Sequence, residues 1–254
     1  MGKTTTAVGS KVDLPATGEA HVWRVSLLEV DATAGDQVER PGARVVRRCV
    51  GRENVQRAEA IRRSLRVTLA AYLESQPSQL LFVRRPGGKP ELAYPWEQSG
   101  LQFNLSHSGQ WLLLAVSSRR NIGIDVERRV PLVDYEAVGR TCFADEELDL
   151  LRGVDPSRQC DLFYRLWTRK EAWGKAAGIG LVAGGPAATP AFPDGWTGVE
   201  MDSLPGYASA LVLEGEIRAV REFEMIGCRP AKGPGVASRD AVEAAETQGP
   251  RAAE

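Results

Sequence analysis

The 254-residue chain is short of the features that define several common protein classes. Its four cysteines, Cys49, Cys142, Cys160 and Cys228, fit no metal-ligand spacing. With no export signal they read as reduced thiols and not as a disulfide framework. Charge of one sign is also missing: 32 basic residues face 33 acidic ones, for a net charge of -1. That balance gives no broad electrostatic footprint for nucleic acid. The longest apolar run, around residues 111–116, suits a buried strand and is too short for a membrane span. The first twenty residues are polar and small, so no secretory signal is read and a cytoplasmic protein is expected. What remains is an ordinary globular composition, 43% hydrophobic and 26% charged, long enough for one large domain or two small ones.

Residues 1–20 read as a flexible leader. Gly2-Lys3-Thr4 there resembles the end of a phosphate-binding loop, but no upstream strand or glycine completes one. Residues 229–254, rich in Ala, Gly, Glu, Arg and Pro, bury too little apolar surface to offset ordering entropy and read as a disordered tail. In between, a strand is expected over 22–30 and a helix from the cap Asn54 to about residue 74. That helix carries Ile61, Leu65, Leu69 and Leu73 as a core-facing stripe. Further strands are expected near 80–83, 103–105, 111–117, 122–126, 196–201, 208–213 and 216–224. Helices are expected over 135–140, 145–151 and 157–177. Strands and helices mix without βαβ alternation, which predicts an α+β fold with largely antiparallel sheet.

Three segments carry chemistry. In Gly123-Ile124-Asp125-Val126-Glu127, strand alternation puts Asp125 and Glu127 on one face. Two close carboxylates repel unless a cation separates them, and Mg²⁺ suits such oxygen donors beside a substrate phosphate. In the helix over 157–177, Phe163, Trp167, Glu171 and Lys175 recur every fourth residue and stack along one face. Glu171 and Lys175 alone would read as a surface ion pair. Beside Asp125 and Glu127, and with Lys170, they read as a metal and phosphate cage. The third segment is Asn104-Leu105-Ser106-His107-Ser108, whose hydroxyl and imidazole groups suit phosphate oxygens. Ser106 and His107 point to opposite strand faces, so they make a poor nucleophile pair. Arginines between Arg44 and Arg66 read as a solvated face or as cations for a polyanionic ligand.

Together with Gly88-Lys89-Pro90, Phe143, Glu146-Glu147-Leu148 and Gly178-Ile179-Gly180-Leu181, in that chain order, these segments resemble the 4′-phosphopantetheinyl transferase family. The resemblance is to its longer, pseudo-dimeric kind, which serves peptide and polyketide synthetases. It implies two similar α+β halves related by a pseudo-twofold, residues 21–120 and 121–228, with the active site in the cleft between them. It implies coenzyme A as co-substrate, Mg²⁺ as cofactor and an apo acyl or peptidyl carrier protein as partner, with no nucleic acid, no membrane and a monomeric enzyme. By the same resemblance Asp125, Glu127 and Glu171 would hold Mg²⁺. Lys175, His107, Ser106 and Lys170 would meet pyrophosphate oxygens, and Lys89 the nucleotide phosphates. Arg57 and one of Arg44 or Arg47 would bind the 3′-phosphate, and residues 128–143 would dock the carrier. Catalytic roles would fall to Glu171, Lys175 and His107.

Two other functions stay in view. A non-catalytic coenzyme A or carrier-binding module would keep the fold and lose the metal. The intact Asp125, Glu127, Glu171 and Lys175 weigh against it. A Mg²⁺-dependent nucleotide pyrophosphate hydrolase would release phosphopantetheine with no carrier present.

Overall fold

The computed structural model describes residues 4–7, 11–27, 52–84, 89–132, 134–180 and 192–226. In chain order its elements are β1 (Thr4–Ala7), β2 (Glu19–Ser26), α1 (Arg52–Leu73), β3 (Phe82–Arg84), β4 (Pro90–Leu92), β5 (Leu101–Ser108), β6 (Trp111–Ser118) and β7 (Ile122–Arg128). They continue with α2 (Tyr135–Gly139), α3 (Asp145–Gly153), α4 (Pro156–Ala177), β8 (Trp196–Glu200), β9 (Tyr207–Glu214) and β10 (Ala219–Ile226). The α+β expectation holds.

Alternation along the strands explains how these elements layer. Trp23 and Val25 of β2 and Leu112, Leu114 and Val116 of β6 face α1, meeting its buried Leu65 and Leu69. The intervening residues, Ala20, Val22, Leu113 and Ala115, face the other way and pack on Ile122, Ile124 and Val126 of β7. The far side of the β7 sheet receives α4, with Ala172, Trp173 and Ala176 against Ala210 and Val212. The order is therefore α1, a five-stranded sheet (β1-β10-β2-β6-β5), a three-stranded sheet (β7-β9-β8), then α4.

α4 is bounded as its sequence dictates. Asp155 caps the start, its carboxylate accepting from Ser157 N, and Pro156 occupies the first turn. Gly178 ends the helix at φ +74°, its N–H returning to Gly174 O.

Two expectations need correction. Part of the expected leader is built into the fold: Thr4–Ala7 pairs in parallel with β10, and Val12 N donates to Ala71 O. The largely antiparallel sheet holds, with β10 running parallel to both β1 and β2. Finally, β10 was counted with residues 121–228, yet it lies in the first sheet between β1 and β2. Its Phe223 ring stacks on Trp23 at 4.6 Å between centroids. The tail over 229–254 lies outside the described residues.

Candidate active site

Where the two sheets meet, β5 and β7 run side by side in the same direction. Side chains of β5 bond the backbone of β7 there. Asn104 Oδ1 accepts from Ile124 N at 3.0 Å, and Ser108 Oγ accepts from Arg128 N at 3.1 Å. Four residues separate the contacts on each strand, so they share one register. In that register Ser106 Oγ donates to Asp125 Oδ1 at 2.7 Å and Ser108 Oγ to Glu127 Oε2 at 2.8 Å.

α4 completes the cluster. Lys175 Nζ donates to Asp125 Oδ1 at 2.5 Å, to Ser106 Oγ at 3.1 Å and to Ile124 O at 3.3 Å. It lies 3.9 Å from Glu171 Oε2, one turn back. The expected stripe is thus real: Phe163 and Trp167 are buried and stacked at 5.9 Å, while Glu171 and Lys175 emerge beyond them beside β7.

This approach depends on Gly123. A Cβ there would lie 2.0 Å from Ala172 O and 2.6 Å from Ala176 N. Only glycine lets the α4 backbone sit so close to the strand bearing Asp125.

Asp125 is wholly buried. A carboxylate removed from water needs compensation, and its Oδ1 receives two donors. Its other oxygen, Oδ2, is buried with no hydrogen-bond partner among the described residues. Likewise, among the described residues no three His, Cys, Asp or Glu side chains converge tightly enough to hold a metal ion. The cation between Asp125 and Glu171 is the Lys175 ammonium.

The remaining expected residues divide. His107 lies on the face of β5 opposite Ser106, the face that carries Phe103 and Leu105 towards α1. Arg57 of α1 donates to Gly109 O in the turn after β5, two residues past His107. Lys89 Nζ donates to Ile122 O at 3.3 Å, at the start of the carboxylate strand. Burial holds the Lys89 ammonium below the ordinary lysine range, with Glu91 opposing the shift. Lys170, expected among the cofactor ligands, is instead buried in an ion pair with Glu147 Oε2 of α3 at 2.6 Å. Adjacent helix residues diverge by about 100°, so Lys170 and Glu171 cannot face the same way. Arg44 and Arg47 lie outside the described residues.

Ser108, Asn104 and Glu147 fall within the motif segments, but the sequence gives none of them the partner found here. A signal existed for the first two: polar residues at 104, 106 and 108 alternate with apolar ones at 101, 103 and 105. Glu147 carried none, because its partner is 23 residues away.

Two family models match in tandem. Residues 23–119 match one described as 4'-phosphopantetheinyl transferase, N-terminal, and residues 121–213 match the 4'-phosphopantetheinyl transferase superfamily. The chain is 36% identical over 166 residues to 4'-phosphopantetheinyl transferase HetI of Nostoc, covering 64% of this chain and 70% of HetI. It is 34% identical over 117 residues to 4'-phosphopantetheinyl transferase Sfp of Bacillus subtilis, covering 46% of this chain and 50% of Sfp. It is 30% identical over 167 residues to the L-aminoadipate-semialdehyde dehydrogenase-phosphopantetheinyl transferase of Pongo abelii, covering 61% of this chain and 51% of that protein. The match thus spans about half the length of the last two. The chain belongs to the 4'-phosphopantetheinyl transferase superfamily.

Proposed function

We propose that this chain moves the 4′-phosphopantetheine arm of coenzyme A to a serine of an apo acyl or peptidyl carrier protein, releasing 3′,5′-ADP. The observation that carries the reading is the meeting of three separate sequence segments at Lys175, whose ammonium reaches Asp125 on β7 and Ser106 on β5. Family membership and the names of the relatives point the same way.

In this reading the carrier serine oxygen attacks the β-phosphorus of coenzyme A. The new O–P bond forms as the bridging P–O bond breaks, and 3′,5′-ADP leaves with the electron pair. Glu171, at the open end of the α4 stripe, accepts the serine proton. Lys175 neutralises charge that grows on the pyrophosphate oxygens, and His107, on the opposite face of β5, would reach them from the α1 side. Ser106, between Lys175 and Asp125, keeps both oriented. Arg57 and Lys89 hold the nucleotide end, Arg57 from the α1 side of β5 and Lys89 beside β7.

Asp125, Glu127 and Glu171 would hold Mg²⁺. No three carboxylates are grouped there among the described residues, but Mg²⁺ typically takes one or two and completes its shell with water and substrate phosphate, and the buried Asp125 Oδ2 has no hydrogen-bond partner among the described residues. When bound, Mg²⁺ would add positive charge beside the pyrophosphate.

Two halves with a cleft between them fit the element order. A strand, a 22-residue helix and a hairpin occur first as β2, α1 and β5–β6, then again as β7, α4 and β8–β9. For the carrier we assign residues 128–143. There Arg129 already pairs with Asp161 and Arg140 with Glu136, so an acidic carrier helix would compete for both cations.

The test is intact mass of an apo carrier after incubation with this protein, coenzyme A and Mg²⁺, with an EDTA control. One phosphopantetheine added, and lost with EDTA, is the expected result. No addition to any of several carriers, with coenzyme A bound, would replace this reading by a binding module.

A further inference from the structure

Four hydrogen bonds at the β5–β7 seam follow one rule. Ser106 Oγ receives a hydrogen from the Lys175 ammonium at 3.1 Å, and Ser108 Oγ receives one from the Arg128 backbone N–H at 3.1 Å. Neither an ammonium nor a backbone N–H can accept. Each serine therefore spends an oxygen lone pair on a fixed donor, and its own hydrogen is left to point elsewhere. The other neighbour within bonding distance is a carboxylate oxygen of β7: Asp125 Oδ1 for Ser106 and Glu127 Oε2 for Ser108. An ionised carboxylate only accepts. The hydroxyl directions are thus set without ambiguity. The two relays repeat with a spacing of two on both strands.

Both serines are buried, at 1% and 3% exposure, so water does not compete for them. The donor that orients Ser108 belongs to the β7 backbone itself. Ser108 therefore ties the Glu127 side chain to the strand that carries it, through one hydroxyl on the neighbouring strand. Glutamate has one more rotatable bond than aspartate, and Glu127 lies nearer the open end of β7. It has more freedom to lose than Asp125 does.

We propose that Ser108 is a positioning residue: its hydroxyl holds Glu127 in register with Asp125, so that both carboxylates face the same divalent ion. This rests on the reading of Asp125, Glu127 and Glu171 as the metal-holding set. Outer partners of this kind typically change metal affinity about 10–100-fold when removed.

The test is direct binding of Mn²⁺ to the full chain with saturating coenzyme A, read from the loss of the free Mn²⁺ paramagnetic resonance signal. A coenzyme A blank and urea-unfolding midpoints accompany it. The wild type is expected to bind Mn²⁺, Ser108→Ala about tenfold more weakly, and Ser108→Thr, which keeps the hydroxyl, within about twofold of wild type. Ser108→Cys, close in size but a weak donor, serves if the alanine variant does not fold; it is expected to bind more weakly. A wild type that binds no Mn²⁺ overturns the metal reading itself. A wild type that binds, with Ser108→Ala or Ser108→Cys binding equally well, overturns the role of Ser108 alone. A drop in unfolding midpoint with unchanged Mn²⁺ affinity also overturns it, since that is what a purely structural hydroxyl would give.

Discussion

Replacing Gly123 by alanine adds one methyl group at the closest contact between β7 and α4. The new carbon would sit 2.0 Å from Ala172 O, 2.6 Å from Ala176 N and 3.0 Å from Ala176 Cβ. A carbon and an oxygen that are not bonded rest more than about 3 Å apart, so α4 must retreat by roughly 1 Å or β7 must bend. None of the three obstacles is a flexible side-chain tip; two are helix backbone. Overpacking usually costs about 1–3 kcal/mol, and rigid backbone on both sides puts this case at the upper end or beyond. With a urea slope of about 3 kcal/mol/M for a chain of this size, the unfolding midpoint should fall by about 1 M. The functional effect should be larger. α4 brings Lys175 to within 2.5 Å of Asp125, and a retreat of about 1 Å breaks that contact. Misplacement on that scale can cost about 100-fold in rate. The assay pairs urea unfolding with transfer of phosphopantetheine to a carrier protein. Gly123→Ala with a wild-type midpoint and wild-type transfer would refute the claim that glycine is required for α4 to reach the site.

Further expectations concern charges. Lys175→Ala should lower transfer by about 100-fold or more, while Lys11→Ala, which loses only an exposed pair with Glu74, should transfer like wild type; mass spectrometry of the carrier compares them. Lys170→Ala strands the wholly buried Glu147 and should cost about 3–5 kcal/mol in urea unfolding, whereas Lys170→Met combined with Glu147→Leu should recover much of it. His21 is buried, with Nδ1 2.8 Å from Tyr72 Oη. Burial lowers its pKa below the ordinary histidine value, against the opposing pull of Glu19. The folded state thus prefers neutral imidazole. Stability should be complete above the unfolded value of about 6.5 and decline as pH falls below it. The urea midpoint should therefore be lower at pH 5.5 than at pH 7.5, and His21→Gln should narrow that gap.

What could be read from sequence was local. The stripe from Phe163 to Lys175 was legible because helical neighbours recur every three or four residues whatever the rest of the chain does. Asp125 and Glu127 were legible as a pair for the matching reason in a strand. The strands and helices from Leu101 onward lie close to where alternation and capping put them. What escaped was long-range. Nothing near Lys170 announced that Glu147 would claim it, because an ion pair across 23 residues leaves no periodic trace. Ser108 reads from sequence only as a hydroxyl beside the histidine, since its role depends on which strand lies alongside β5. The pairing of β1 with β10 spans more than 200 residues, and Thr4–Ala7 is too short to have declared itself.

The place of β10 has a consequence for how the chain comes off the ribosome. β2 is made early, but its partner on one side begins at Ala219, some two hundred residues later. Until then β2 exposes a bare edge, and Trp23 lacks the ring of Phe223 on which it stacks. The first sheet therefore cannot close while the second half is still being synthesised. A fragment cut near residue 120 would keep α1, β5 and β6 yet leave β2 open to pairing with any other strand. The two sheets are therefore not two beads on a string: the last described strand completes the first sheet.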